Sequence, residues 1–396
     1  MIAKLDPGFI EAAEREIAAA GLDGWLLYDL EARNRVTAEL TGLRDGISRR
    51  YFVLLRPGAP PKALAHRIEL MHFEGWSGEL SSYVSWQDLE QSLRDILKGC
   101  RTVAMETSEM DAVPFIDNVP AGVLQMIQGL GVQVVSSADL LSRTYSQWSE
   151  RGRSLHLTAA EVLAQTAEAA FRKAADAVGA GERMGEYEVA SWILGELDRR
   201  NLEAEGVIVG TGPNSANPHY YPSETVTSDL TPGSVLLIDL WARVKDEPDA
   251  VFADQTWMGL LGDQPPEGFM DAWEAVRSAR DGAVTFTADR YDGELGPTGA
   301  QVDAEARRIL IEAGFGDVLF HRTGHAMDRV NHGYGPNLDS VETRDDRRLV
   351  RGIGFSVEPG VYFEGRWGIR SEINVYMGAD GPEVSPQRIQ SEPWTA

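Results

Sequence analysis

The chain has 396 residues, too many for one ordinary hydrophobic core, and its length fits two folded domains. Lys plus Arg number 37 against 61 Asp plus Glu, a formal charge of −24 that repels phosphate backbones and anionic lipid, so nucleic acid and membrane surfaces are excluded as partners. The single cysteine, Cys100, rules out an intramolecular disulfide. No run reaches the ~18 apolar residues that a membrane span requires, and the chain is expected to be cytoplasmic, with Cys100 a small core residue.

The first part alternates helical and strand patterns. Phe9 to Ala20 has helical periodicity, and Gly24 to Tyr28 and Tyr51 to Arg56 are short apolar strands. A helix from Asp88 to Leu97 precedes a strand from Thr102 to Met105, and a strand from Val132 to Val135 precedes a helix from Ala138. This rhythm predicts a small α/β domain. His66 and His72 fall in strand and loop and are expected on the solvated surface.

Beyond Thr158 the texture changes. Ala159 to Val178 and Glu186 to Arg199 read as amphipathic helices broken by Gly179 to Gly185. Strands follow at Gly206 to Val209, Ser234 to Ala242 and Val251 to Leu261, then helices near Phe269 to Val284 and Gln301 to Ala313, and strands around Phe355 and Ile369 to Met377. The expected domains are residues 1–152 and 153–396, with the chemistry in the second.

Seven histidines occur in total, and three of them crowd into His321-Arg-Thr-Gly-His325-Ala-Met-Asp-Arg-Val-Asn-His332. Gly324, and the absence of the Glu of a zinc-binding helix motif, favour an extended or irregular segment there. Acids also sit where apolar strands make them expensive to bury. Asp239 interrupts Val-Leu-Leu-Ile-Asp-Leu-Trp, Asp254 lies in Val-Phe-Ala-Asp-Gln-Thr-Trp-Met, Glu358 ends Gly-Phe-Ser-Val, and Glu372 follows Gly-Ile-Arg-Ser. Each alone reads as an ion pair or a solvated face. Four such acids beside a histidine cluster suit a pair of divalent cations, which would neutralise them together.

These segments resemble the pita-bread metallopeptidases, the family of methionine aminopeptidase, aminopeptidase P, prolidase and the metal-free creatinase. The likeness covers roughly residues 155 to 390 and rests on Asn-Pro-His-Tyr (217–220), His-Arg-Thr-Gly-His (321–325), Val-Glu-Pro-Gly-Val-Tyr (357–362) and Gly-Ile-Arg-Ser-Glu (368–372). The preceding domain resembles the creatinase-type amino-terminal domain. The implied fold is an α/β amino-terminal domain followed by an α+β pita-bread catalytic domain. The family's ligand order, Asp, Asp, His, Glu, Glu, falls on Asp239, Asp254, His325, Glu358 and Glu372. The resemblance further implies substrate roles for His219 and His332 at the tetrahedral intermediate and for His321 near the proline. The two aspartates stand 254 − 239 = 15 residues apart, longer than usual, with Lys245 to Asp249 as an enlarged hairpin turn. Trp257 replaces a common arginine, Ala326 a common glycine, and Gly333 a common acid.

The activity implied is hydrolysis of the Xaa-Pro bond of dipeptides by a metal-bridging hydroxide, with two divalent ions, manganese first and zinc or cobalt next. Glu358 is expected to shuttle the proton, and Arg370 either to orient Glu372 or to meet a substrate carboxylate. Arg44, Arg49 and Arg50 are candidates for that carboxylate from a partner subunit, since the family suggests a homodimer. The alternatives are an aminopeptidase P acting on longer proline-containing peptides and an inactive pita-bread scaffold.

Overall fold

The computed structural model describes residues 4–43 and 46–395, so Arg44 lies outside the described residues. The chain divides into two compact units, residues 1–145 and 146–396.

In the first unit the apolar runs form β1 (Gly24–Asp29), β2 (Tyr51–Arg56), β3 (Ala59–His66), β4 (Glu79–Tyr83), β5 (Thr102–Met105) and β6 (Gln133–Ser136). They make one mixed sheet in the order β4-β3-β2-β1-β5-β6. The pairs β1–β2 and β2–β3 are antiparallel and the other three parallel. Helices α1 (Pro7–Ala19), α2 (Arg35–Thr41), α3 (Trp86–Ile96), α4 (Ala121–Gly129) and α5 (Ala138–Arg143) accompany it. Helix α3 starts two residues before the sequence reading because Ser85 and Asp88 form a reciprocal cap. Its Leu89 and Leu93 pack with Leu26, Phe52, Leu64 and Val103 in the core. Strand β3 escapes a pattern reading because Pro60 and Pro61 stand near its start, where the register with β2 shifts. His66 and His72 are half-buried rather than solvated: His66 Nε2 meets the Val84 carbonyl at 3.1 Å, and His72 Nε2 lies 3.4 Å from Glu69.

The second unit opens with the long helix α6 (Glu150–Gly179), capped by Ser149, followed by α7 (Glu186–Arg199). The sequence division at 152/153 falls in the first turn of α6, whose polar opening hides its continuity with the alanine-rich stretch. Strands β7 (Leu202–Thr211), β8 (Val235–Val244) and β9 (Ala253–Leu260) form an antiparallel sheet. Then come α8 (Phe269–Asp289), β10 (Leu295–Thr298), α9 (Gly299–Glu312), β11 (Ala326–Met327), β12 (Arg348–Val350) and β13 (Gly354–Val357). The chain finishes with β14 (Gly360–Phe363), β15 (Trp367–Arg370), β16 (Ile373–Gly378), β17 (Gly381–Ser385) and β18 (Trp394–Thr395). A second sheet has the order β11-β13-β16-β17, β14 and β15 form a hairpin, and β18 joins β9 in parallel.

Strand alternation decides what faces the site. On β8, Leu236, Ile238 and Leu240 pack with the alanines of α6 and with α7, whereas Leu237 belongs to the core of α8 and α9. Asp239 shares the face of Leu237. On β9, Ala253 and Trp257 face α6 and α7, so Asp254 and Thr256 share the other face with Met258 and Leu260. Gly259 is required where it stands: a Cβ there would lie 2.5 Å from the ring of Phe171. No described helix is long and apolar enough to cross a membrane.

Candidate active site

The five acids and histidines singled out from the sequence converge. Asp239, Asp254, His325, Glu358 and Glu372 line one cavity of about 840 Å³ together with His219, His321, His332 and Arg370. Each arrives by a local device. Asp239 and Asp254 come from β8 and β9 by the alternation above. Glu358 follows β13, its N–H held by the Thr323 carbonyl at 2.7 Å. Glu372 lies between β15 and β16, its N–H on the Thr256 carbonyl at 3.2 Å. His325 sits in the irregular extended segment before β11, where its N–H donates to Ser356 Oγ at 3.0 Å.

The imidazole of His325 is oriented by its other nitrogen. Nδ1 lies 3.1 Å from the Ala326 carbonyl, which can only accept, so Nδ1 carries the proton and Nε2 keeps a lone pair. That lone pair faces Asp254 Oδ2 at 3.6 Å and Glu358 Oε1 at 3.5 Å. Donor atoms of Asp254, His325 and Glu372 all lie within 4.8 Å of one another.

Four carboxylates share this buried space with one buried guanidinium, a formal charge of −4 + 1 = −3. Arg370 donates to Asp239 Oδ2 and, through Nε, to Thr256 Oγ1 at 2.8 Å, and its Nη1 reaches the Tyr362 hydroxyl at 3.4 Å. Thr256 Oγ1 in turn donates to Glu372 Oε2 at 2.8 Å, so one hydroxyl links the arginine to the glutamate. The remaining oxygens, Asp239 Oδ1, Asp254 Oδ1 and Glu372 Oε1, are buried without a hydrogen-bond partner among the described residues. Burial pushes Asp239 up to about 8, despite Arg370, and Asp254 up to about 7. Burial and the neighbouring Asp254 hold Glu372 well above its ordinary range. Glu358 goes the other way: burial opposes its charge, yet its carboxyl is held below the usual range, with Arg370 the permanent cation facing it. Orphaned carboxylate oxygens beside one imidazole lone pair are a donor set that divalent metal ions fit.

The non-ligand histidines ring the same cavity. His332 lies against His325 with ring centroids 4.3 Å apart, and that neighbour together with burial pushes it down to about 3. It is therefore neutral with one N–H to donate. His321 Nε2 is 2.7 Å from the Tyr362 hydroxyl. His219 is exposed in the loop after β7, its N–H on Asn217 Oδ1 at 3.2 Å. Arg370, with each guanidinium nitrogen engaged inside the protein, sits among the carboxylates.

Several contributors carried no sequence signal. Glu186, fully buried in the first turn of α7, accepts from Thr211 N, Asn214 Nδ2, Ser228 N and the Tyr220 hydroxyl, the last at 2.6 Å. It pins both ends of the loop that holds His219. Asp303 on α9 does the same for the histidine segment, accepting from the N–H and hydroxyl of both Thr323 and Ser340, while Arg307 donates to the His321 carbonyl at 2.6 Å. Asn331 Nδ2 donates to Asp254 Oδ2 at 2.8 Å. The departures from the family pattern also find causes. Trp257 turns away from the site towards α6 and α7. The Ala326 methyl lies against Gly335, and Gly333 leaves room for the Asp328 carboxylate, which a Cβ would approach to 2.5 Å.

Fold and site together define a metal-dependent peptidase of the pita-bread type, all five expected ligand residues being present. Residues 159–379 match metallopeptidase family M24, and the chain belongs to that family. It is 28% identical over 383 residues to the probable dipeptidase PepE of Mycobacterium tuberculosis, covering 92% of this chain and 90% of that one. It is 26% identical over 322 residues to the Xaa-Pro dipeptidase of Lactobacillus helveticus, covering 77% of each. The crystal structure of dipeptidase PepE from Mycobacterium ulcerans shares the fold, with a TM-score of 0.73 at 24% identity over 98% of this chain and 96% of that one.

Proposed function

We propose that the protein hydrolyses the Xaa-Pro bond of dipeptides, with two divalent ions held by Asp239, Asp254, His325, Glu358 and Glu372. The observation that carries this is the set of three buried, unpartnered carboxylate oxygens, on Asp239, Asp254 and Glu372, in one cavity with His325, His219, His321 and His332. Asp239 and Asp254 would hold one ion and His325 and Glu358 the other, with Glu372 completing the set. Oxygen-rich donors with one imidazole favour manganese, with zinc or cobalt as alternatives. Ions bound there supply Lewis-acid polarisation of the scissile carbonyl and acidify the attacking water.

The side chains do the rest. Glu358, kept ionised, takes the proton from the attacking water and delivers it to the prolyl nitrogen, a tertiary amide nitrogen that must gain a proton to leave. His219 and His332 donate to the developing oxyanion. Phe320, stacked on Tyr362 at 5.5 Å, and His321 offer an apolar wall for the pyrrolidine ring. Arg370 keeps Asp239 and, through Thr256, Glu372 in place. Arg322, which lines the cavity beside His321, is positioned to meet a dipeptide carboxylate, and Arg49 and Arg50 are further candidates in a homodimer. The homodimer itself is supported by the edge strand β4, where Leu80 and the adjoining Val84 and Trp86 are exposed, Trp86 by 67%.

An aminopeptidase is the second reading, favoured by a cavity of about 840 Å³ that has room for chain beyond the proline. Comparing an Xaa-Pro dipeptide with an Xaa-Pro-Xaa tripeptide separates the two. Dialysis against a chelator should abolish cleavage of both and added manganese should restore it; activity indifferent to metal removal would refute the assignment.

A further inference from the structure

One wall of the cavity is shaped by an irregularity in strand pairing. On β7, Ala204 pairs with Ala242 and Gly206 with Trp241, so Glu205 is an extra residue. Simple alternation would turn Glu205 towards the apolar core that takes Val207; the irregular register instead leaves it lining the cavity. The carboxylate is exposed and has no hydrogen bond or ion pair among the described residues. Its neighbour Gly206 gives the space to two rings: a Cβ there would lie 2.7 Å from Trp241 and 3.4 Å from Tyr221. Those rings stand edge to face, centroids 6.3 Å apart at 81°, and both line the same cavity.

A free carboxylate and two aromatic rings lining one cavity are a combination that attracts an organic cation and repels an anion. Within the proposed peptidase reading, we infer that Glu205, Trp241 and Tyr221 form the subsite for the residue before the scissile bond and select a Lys or Arg side chain there. The strand irregularity, costly in pairing, then has a role: it re-aims one carboxylate at the substrate.

The test measures kcat/KM of the manganese-loaded full chain on Lys-Pro, Met-Pro and Glu-Pro and on the matching Xaa-Pro-Ala tripeptides. Lys should exceed Met roughly tenfold, with Glu lowest. In E205Q the Lys-to-Met ratio should fall towards one, and in E205K the order of Lys and Glu should reverse, with melting temperatures near wild type because the position is exposed. Equal rates for Lys and Met in the wild type would overturn the inference. So would an E205Q variant slowed by one factor on every substrate, which would put Glu205 on the α-ammonium common to all. Failure to cleave any peptide is a different outcome: it sinks the peptidase reading, and the subsite with it.

Discussion

Both units bury carboxylates, and they treat them differently. Glu106, in the first unit, is fully buried and its two oxygens accept from Trp25 Nε1 at 2.6 Å, Asn34 Nδ2 at 2.9 Å, Thr37 Oγ1 at 3.1 Å and Ser137 Oγ at 3.2 Å. Asp239, Asp254 and Glu372, in the second, each keep one buried oxygen without a partner among the described residues. Desolvation opposes the charge in both places. Neutral donors answer it at Glu106, whereas at the second site one arginine serves four acids. A saturated carboxylate is a fixture of the fold, and an unsaturated cluster is a place prepared for cations.

The largest effect should come from the group that moves a proton. Glu358→Gln keeps the shape but cannot accept the proton from water, and kcat should fall on the order of 10²–10⁴ with the melting temperature little changed. Steady-state rates on an Xaa-Pro dipeptide check this, and near-normal turnover would remove the role. Away from the cluster, His156 on α6 gives a large effect on stability instead. Its Nδ1–H donates to the Phe252 carbonyl and its Nε2 accepts from Ser385 Oγ, both at 2.7 Å, and burial pushes it down to about 4. The unfolded state thus binds more protons between pH 6.5 and 4, so the stability is complete above 6.5 and is lost as the pH falls through that window, by about 3 kcal/mol at most. Urea unfolding of wild type and H156N at pH 7.5 and 4.5 tests the sign: the variant should lose less on acidification.

The same contrast explains what the sequence revealed. The acids of β8 and β9 were legible because a carboxylate inside an apolar strand breaks the pattern, and His325, Glu358 and Glu372 because their neighbours form recognisable motifs. Glu186 was not, since an acid in the first turn of a helix is ordinary and only tertiary contacts bury it. Asp303 is masked likewise by Arg307 one turn on, which reads as a surface pair although Asp303 is fully buried. Asn331 lies in an irregular loop with no period to violate. Strand β4, Glu-Leu-Ser-Ser-Tyr, has too few apolar residues to announce itself and is defined by pairing with β3.

A smaller pair of substitutions sharpens the comparison directly. Glu106→Gln turns an amide donor towards a ring of donors and should cost about 1–3 kcal/mol of stability without affecting metal binding. Glu372→Gln removes charge from an over-acidic cluster while its amide oxygen can still accept from Thr256. Without metal it should melt no lower than the wild type, yet gain far less on adding manganese. Melting curves of both variants with and without the ion decide it, and a metal-free E372Q protein markedly weaker than wild type would mean that the acids support the fold as Glu106 does.

The smallest effect concerns the link between a saturated carboxylate and the site. Tyr220 is buried with its hydroxyl on Glu186, while Pro218, His219 and Tyr221 line the cavity. Asn217 to Tyr220 form a turn closed by the Tyr220 N–H on the Asn217 carbonyl at 3.1 Å, so the pin at Tyr220 sets the position of His219. Tyr220→Phe deletes one hydroxyl and should cost about 1 kcal/mol of stability. It should also lower kcat several-fold more than it changes KM, since His219 is assigned to the oxyanion. The discriminating measurement is the cycle with His219→Ala: if Tyr220 acts through His219, the double variant should be no slower than H219A alone. Additive losses would separate the two residues and leave Glu186 a purely structural acid, the counterpart of Glu106 in the second unit.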